Sequence, residues 1–519
     1  MGTRSTRGRG GAARRALAAA VAAALLVAGA CSGDDDGAEP AADAADTAAD
    51  ARAARGGDVA TPTVEGPVTG GAYDMPFNPL PARLRDEHDY VEDEYFLSGE
   101  ATAYATEGTW GEDGAWTATP ADTAPFTTRM VVRQPADAEA FNGSVVVEWL
   151  NVSSGMDADA GFGLAHEVLL REGYAWVGVS AQTGGVTGEG ALRLDIPGFE
   201  AQSLMEWDPE RYGSLEHPGD AWSYDIFSQA AQVVRRPGDI DPLDGLAVER
   251  VIASGESQSA MRLVTYVNAV HPLADIYDGF LVHSRGGGAA PLGDGADDPV
   301  PEVAHVRTDL DGPVLQFQTE TDLFGLLGFH PARQPDSGTV RTWEVAGSAH
   351  ADQTTLDYGV ESGNEWRPGA SIDFSDACGV VNDGPQSLVL RAAVVALDEW
   401  VSTGEPPPEA PPIEVEGEAV ARDERGSALG GIRTPAVDAP VATLTGDASP
   451  GEPVICLLFG GETPFDAATL RELYPTHDDY VEAVSAAADE AVEAGFVLRE
   501  DADQVVAEAE EAEVPGPAS

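Results

Sequence analysis

Apolar positions along this 519-residue chain gather into short β-branched runs bracketed by turn residues, at 144–149, 175–181, 248–254, 279–283, 314–318 and 339–345. Runs of this length read as strands buried on both faces. Between several of them, at 158–172, 224–234 and 258–269, apolar residues recur at helical spacing. Strand and helix therefore alternate, which predicts an α/β fold built on a mostly parallel sheet with helices on both faces. Two stretches without periodicity, 182–220 and 285–311, follow strand ends, where such sheets bind ligands, and are expected to form the rim of a pocket. Further on come an apolar helix at 387–403, a break at Pro406-Pro407-Pro408 and a late helix starting near Thr476.

Composition narrows the chemistry. Hydrophobic residues make up 43% of the chain, enough for a sizeable core, and the formal charge is -60. All 29 basic residues are arginine. Without lysine, a P-loop, a pyridoxal Schiff base and a Ser-Lys dyad are excluded, because each needs an ammonium group. A surface this acidic repels nucleic acid, so no nucleic-acid partner is expected.

The chain opens with Arg4, Arg7, Arg9, Arg14 and Arg15, followed by an apolar run at 16–28 and then Gly29-Ala30-Cys31-Ser32. The run is too short to span a bilayer and reads as an export signal over 1–30. Small residues before Cys31 resemble a lipobox, which makes Cys31 the candidate lipidation site and a lipid there the expected link to a membrane. Arg14-Arg15 leaves the general and twin-arginine export routes both open. The expected location is the cell surface as a lipoprotein, or the medium. Residues 31–66 hold almost no large apolar side chain and read as a flexible tether. After export Cys378 and Cys456 form an even pair in oxidising surroundings, so a disulfide is expected, with two separate buried thiols as the alternative.

The chemistry centres on Gly255-Glu256-Ser257-Gln258-Ser259, which follows an apolar strand and opens a helix. A serine in such a turn can be a simple helix cap, but the strand before it favours a nucleophile held on a strained elbow. A hydroxyl needs an imidazole to take its proton, and the imidazole needs a carboxylate to fix its tautomer. In α/β-hydrolases these follow in the order serine, acid, histidine. Glu320 and Asp322 lie just past the strand at 314–318, and His350 lies in a small-residue loop past the next strand. Asp322 is favoured as the acid because it lies farther from its strand, with Glu320 the rival and the loser expected to brace the loop. His166, His283, His330 and His477 fit less well than His350. The oxyanion donors are expected at the backbone of Gln258 and in the loop after the first clear strand, at Asn151 and Val152.

Five segments in this order resemble the bacterial "alpha/beta hydrolase domain" proteins. They are Val147-Glu148-Trp149-Leu150-Asn151-Val152, the serine turn, Glu320-Thr321-Asp322, Gly347-Ser348-Ala349-His350 and Gly431-Ile432-Arg433-Thr434-Pro435-Ala436-Val437-Asp438. The resemblance covers roughly 68–484 and implies a single catalytic domain of the α/β-hydrolase fold, placed here at 67–500, with the Pro-rich and Gly-Ile-Arg-Thr-Pro regions as elaborations. The acidic tail at 501–519 is expected to be solvated or frayed. The leading expectation is an exported serine hydrolase that acts on a small-molecule carboxylic ester and uses neither metal nor organic cofactor. The alternative is a cell-surface binding protein that keeps the fold without turnover. A zinc hydrolase ranks low, because no His-Glu-x-x-His helix or Cys/His cluster is present.

Overall fold

A computed structural model describes residues 55–189, 201–293, 300–369, 378–447 and 454–515. The export segment, Cys31 and the tether as far as residue 54 lie outside the described residues.

The body is organised by a nine-stranded sheet. Its strands are β1 (Thr63–Glu65), β2 (Tyr90–Glu107), β3 (Thr117–Pro135), β4 (Ser144–Trp149), β5 (Ala175–Val179), β6 (Arg250–Glu256), β7 (Gly279–His283), β8 (Val314–Thr319) and β9 (Val340–Val345), in the order 1-2-3-5-4-6-7-8-9. From β5 to β9 neighbours run parallel, and the β1–β2–β3 ribbon joins β5 antiparallel. Successive side chains on a strand point to opposite faces. Val145, Val147 and Trp149 thus pack with Phe227 and Ala230 of α2 (Ser223–Arg235) and Leu263 of α3 (Gln258–Thr265). Val146 joins the opposite layer, with Phe162 and Leu169 of α1 (Ala160–Arg171) and Leu390 and Val394 of α5 (Gln386–Thr403). The sheet and both helical layers agree with the α/β expectation.

One element and two boundaries differ from the sequence reading. The long β2–β3 hairpin was not expected, because charges at buried positions disguise its apolar alternation. Glu92 lies opposite Arg133 in register and meets its Nε at 2.8 Å, while Glu94 meets Arg129 and Arg211, each at 2.6 Å. At the N-terminal side residues ahead of the expected boundary at 67 already belong to the body: Gly56 N–H donates to the Asp275 carbonyl at 2.6 Å, and β1 pairs with β2. At the other end, part of the supposed solvated tail is α7 (Arg499–Glu511), which packs beside α6 (His477–Glu493). Buried Asp501 holds it down, 2.8 Å from Arg171 and 3.3 Å from Arg391. Its acidic composition hid a helix with one apolar stripe.

Cys378 and Cys456 are joined in a disulfide, with their Cα atoms 5.1 Å apart. Among the described residues no helix is long and apolar enough to cross a membrane.

Candidate active site

β6 ends at Glu256 and α3 begins at Gln258, so Ser257 alone makes the turn, with φ 58° and ψ −116°. A positive φ is rare outside glycine and costs strain, which the surrounding contacts must hold. Ser257 N–H donates to the His283 carbonyl at the end of β7 at 2.9 Å. Gly255 is required by proximity: a Cβ there would lie 3.0 Å from the Ser259 carbonyl oxygen and 3.2 Å from the Ala260 nitrogen. Ser259 Oγ accepts from Glu256 N–H at 3.0 Å and donates to the Glu256 carbonyl at 2.8 Å, so it ties the strand end to the helix start.

The acids follow β8 in a one-turn helix, Glu320–Leu323. Asp322 Oδ2 accepts from Thr319 N–H at 2.6 Å, which turns Oδ1 toward His350 Nδ1 at 2.7 Å. His350 stands in the loop after β9, and its Nε2 lies 2.9 Å from Ser257 Oγ. The loop is pinned: His350 N–H donates to Thr321 Oγ1 at 3.2 Å, and its carbonyl accepts from Gln386 Nε2 at 3.4 Å. Burial pulls the imidazole pKa down, but the hydrogen bond and charge of Asp322, together with the charge of Glu256, outweigh it and raise the net value. The structure thus brings Ser257, His350 and Asp322 into one chain of hydrogen bonds. An imidazole so placed can take the hydroxyl proton while the carboxylate fixes its tautomer and stabilises the cation.

Glu320 faces elsewhere. It accepts from Gly347 N–H at 2.5 Å, Gly446 N–H at 3.1 Å and Arg422 at 2.9 Å. His283 lies under the site on β7, where burial pushes its pKa down to about 3, and it is hydrogen-bonded to Gln386. His166 bonds the Gly163 carbonyl within α1, and His477 opens α6.

Of the expected oxyanion donors, Gln258 opens α3, where the first N–H groups lack intrahelical acceptors, and it lines the cavity over Ser257. Val152 lines the same cavity. Asn151 is different. Its N–H donates to the Ala158 carbonyl at 2.9 Å, which takes it away from an oxyanion, and its side chain donates to Glu256 Oε2 at 2.9 Å. A residue missed from the sequence therefore enters the site: Glu256, whose carboxylate stands 3.2 Å from His350 Nε2. The signal was a carboxylate directly before the serine.

The cavity above these groups has a volume of about 1020 Å³. Leu164, Met261, Leu326 and Ile455 give it an apolar wall, and Gln182 and Arg262 a polar one. Asp220 on that wall accepts from both, at 2.9 Å each. Both irregular stretches contribute, with Asp220 from the first and Pro291 from the second. Among the described residues no group of three or more His, Cys, Asp and Glu side chains is arranged to hold a metal ion.

The family described as "alpha/beta hydrolase domain" matches residues 64–507. The chain belongs to this family. No curated protein matches the sequence. Solved structures similar to this alpha/beta hydrolase include an α/β serine hydrolase without a lid from Xanthomonas campestris, at 13% identity, covering 51% of this chain and 92% of that one with a TM-score of 0.27. A fungal esterase from Rhizomucor miehei is 13% identical, with coverage of 56% and 92% and a TM-score of 0.28. Acetyl xylan esterase 1 from Thermoanaerobacterium is 12% identical, with coverage of 58% and 85% and a TM-score of 0.26.

Proposed function

We propose that this alpha/beta hydrolase is an exported serine esterase that cleaves small-molecule carboxylic esters through a covalent acyl-enzyme on Ser257. The observation that carries the reading is one imidazole bonded at 2.9 Å to a strained serine hydroxyl and at 2.7 Å to a buried carboxylate. In this reading Ser257 Oγ attacks the ester carbonyl carbon as its proton passes to His350 Nε2. The N–H groups of Gln258 and Val152 meet the oxyanion. The imidazolium then returns the proton to the departing alcohol oxygen as the carbon–oxygen bond breaks. Water, activated by the same nitrogen, repeats the sequence and frees the acid. Asp322 accepts the hydrogen bond of Nδ1–H throughout, which fixes the tautomer and stabilises the imidazolium. The apolar wall suits an acyl or alkyl chain.

The leader supports export, with a lipid on Cys31 as anchor and 31–54 as the spacer before the body. Mass spectrometry of the mature N-terminus tests that part: a diacylated Cys31 supports it, and an unmodified terminus downstream means simple secretion.

The experiment for the chemistry is covalent labelling with a fluorophosphonate probe, coupled to turnover of p-nitrophenyl esters of graded chain length. Wild type is expected to be labelled on Ser257 and to turn over at least part of the ester panel. Ser257→Ala is expected to keep the fold and lose both. Equal labelling of the two proteins overturns the assignment, and a folded wild type that is neither labelled nor active favours a binding protein on this fold.

A further inference from the structure

His350 Nε2 has two neighbours. Ser257 Oγ stands at 2.9 Å and Glu256 Oε1 at 3.2 Å. Glu256 is buried and clamped. Asn151 Nδ2 donates to its Oε2 at 2.9 Å and to its backbone carbonyl at 3.1 Å. Asn151 Oδ1 in turn accepts from Ser153 N–H at 2.8 Å, so the amide is fixed in one orientation. The Ser259 hydroxyl holds both polar groups of the Glu256 backbone. For the carboxylate to swing away, a buried amide would have to give up its acceptor, at a cost of about 1–3 kcal/mol.

This geometry has a protonic consequence. A bare imidazole nitrogen facing a bare carboxylate at 3.2 Å is repulsive, so proton sharing between the two is favoured at low pH. To accept the Ser257 proton, Nε2 must first lose the shared one. Once the serine proton has arrived, the same carboxylate faces a cation.

We propose that Glu256 is a second carboxylate partner of His350, acting at Nε2 as Asp322 acts at Nδ1: it retains a proton on the resting pair and stabilises the imidazolium formed during attack. This rests on the esterase reading of the site. The proton balance is closed. Serine's proton moves to Nε2 as the Oγ–carbon bond forms and leaves with the alcohol as the ester bond breaks. Glu256 is a carboxylate before and after.

The other groups around the pair do not supply this charge. His283 on β7 stays neutral, since burial holds its pKa near 3. Glu320 on the acid loop is paired with Arg422, and Arg262 on α3 with Asp220. Glu148 on β4 borders the same small cavity as Glu256 and His283, and burial raises its pKa to about 8. Glu256 itself is pushed up to about 7 by burial, with the His350 charge pulling it down, Asp322 pushing it up and the Asn151 hydrogen bond pulling it down.

The test is the pH dependence of ester turnover and of fluorophosphonate labelling for wild type, Glu256→Gln, Glu256→Asp and Asn151→Ala, with folding checked by thermal melting. Removing a neighbouring charge should move the acid limb of kcat/KM to lower pH by about one unit. The plateau kcat should fall by up to about tenfold, the same interaction read in the transition state. Glu256→Asp, which keeps the charge, should lie between wild type and Glu256→Gln. If Glu256→Gln does not fold, Asn151→Ala carries the test, because loss of its hydrogen bond protonates Glu256 more readily and moves the limb the same way by less. A labelled wild type whose acid limb is unchanged in Glu256→Gln, or in Asn151→Ala when that variant carries the test, overturns the inference alone. An unlabelled, inactive wild type overturns it together with the esterase reading.

Discussion

Asp322 and His350 meet through Oδ1 and Nδ1 at 2.7 Å, while Glu320, two residues earlier, turns to the amides of Gly347 and Gly446. The division follows from the one-turn helix after β8: Asp322 caps Thr319 with its second oxygen and so faces the imidazole, and Glu320 leaves from the other side toward Arg422. One acid sits against the base, and the other holds the loop that carries it.

Asp322→Asn should therefore keep the fold and lower kcat by about 10⁴, the cost of an amide at this position in a serine protease triad. Glu320→Gln should mainly lower the melting temperature, since it leaves Arg422 short of a buried charge, and should change kcat far less. Steady-state kinetics on one ester with both variants settles the roles, and the larger kcat loss in Glu320→Gln would exchange them.

The elbow gives a second comparison. Ser259→Ala removes the hydroxyl that bridges both polar groups of the Glu256 backbone, so labelling at Ser257 should persist but slow. Gly255→Ala should be worse, because its Cβ meets backbone at 3.0 Å rather than a movable side chain. Labelling rates should fall in the order wild type, Ser259→Ala, Gly255→Ala. A fully reactive Gly255→Ala would mean that the strand and helix can separate at no cost.

The disulfide braces the cavity. Ile455 and Leu458, beside Cys456, line it, and the Leu458 carbonyl accepts from Ala351 N–H at 2.9 Å, next to His350. The bond closes a separation of 78 residues. Replacing both cysteines with serine should cost about 2–4 kcal/mol in urea unfolding and raise KM. Unchanged stability and KM would show that the wall is held by its other contacts.

The parallel half of the sheet was legible because its strands are almost wholly buried and read as short, mostly apolar runs between turn residues, and the serine, acid and histidine segments stand at the ends of three of them. The β2–β3 ribbon was not legible, because Glu92, Glu94, Arg129 and Arg133 fill buried positions and only their pairing makes those positions habitable. Its position in the loop after β4 suggests Asn151 as an oxyanion donor, but its N–H is taken by the Ala158 carbonyl. What distinguishes it is a side chain reaching Glu256, 105 residues away, and no local pattern encodes that contact.

The last expectation concerns Asp352, two residues past His350. Its Oδ1 caps α4 (Gln353–Trp366) by accepting from Thr355 N–H at 3.0 Å, while Oδ2 is buried with no hydrogen-bond partner among the described residues. Burial raises its pKa from 3.8 to about 7, against the hydrogen bonds of Thr355 and with help from the charge of Asp383. The folded state thus keeps a proton that the unfolded chain loses near 3.8. The resulting stability is fully present below that pH and is lost as pH rises through about 7. Asp352→Asn keeps the cap and removes the titration. Below pH 3.8 its melting temperature should match wild type; from there its advantage should grow with pH, be visible already at pH 5, and level off above about pH 7. His350 and Glu256 also have raised pKa values and contribute a slope of the same sign, so the readout is the difference between the two proteins across pH. If the two melting curves stay parallel from pH 5 to above pH 8, Asp352 is ionised in the folded protein throughout, and its second oxygen must have found a donor.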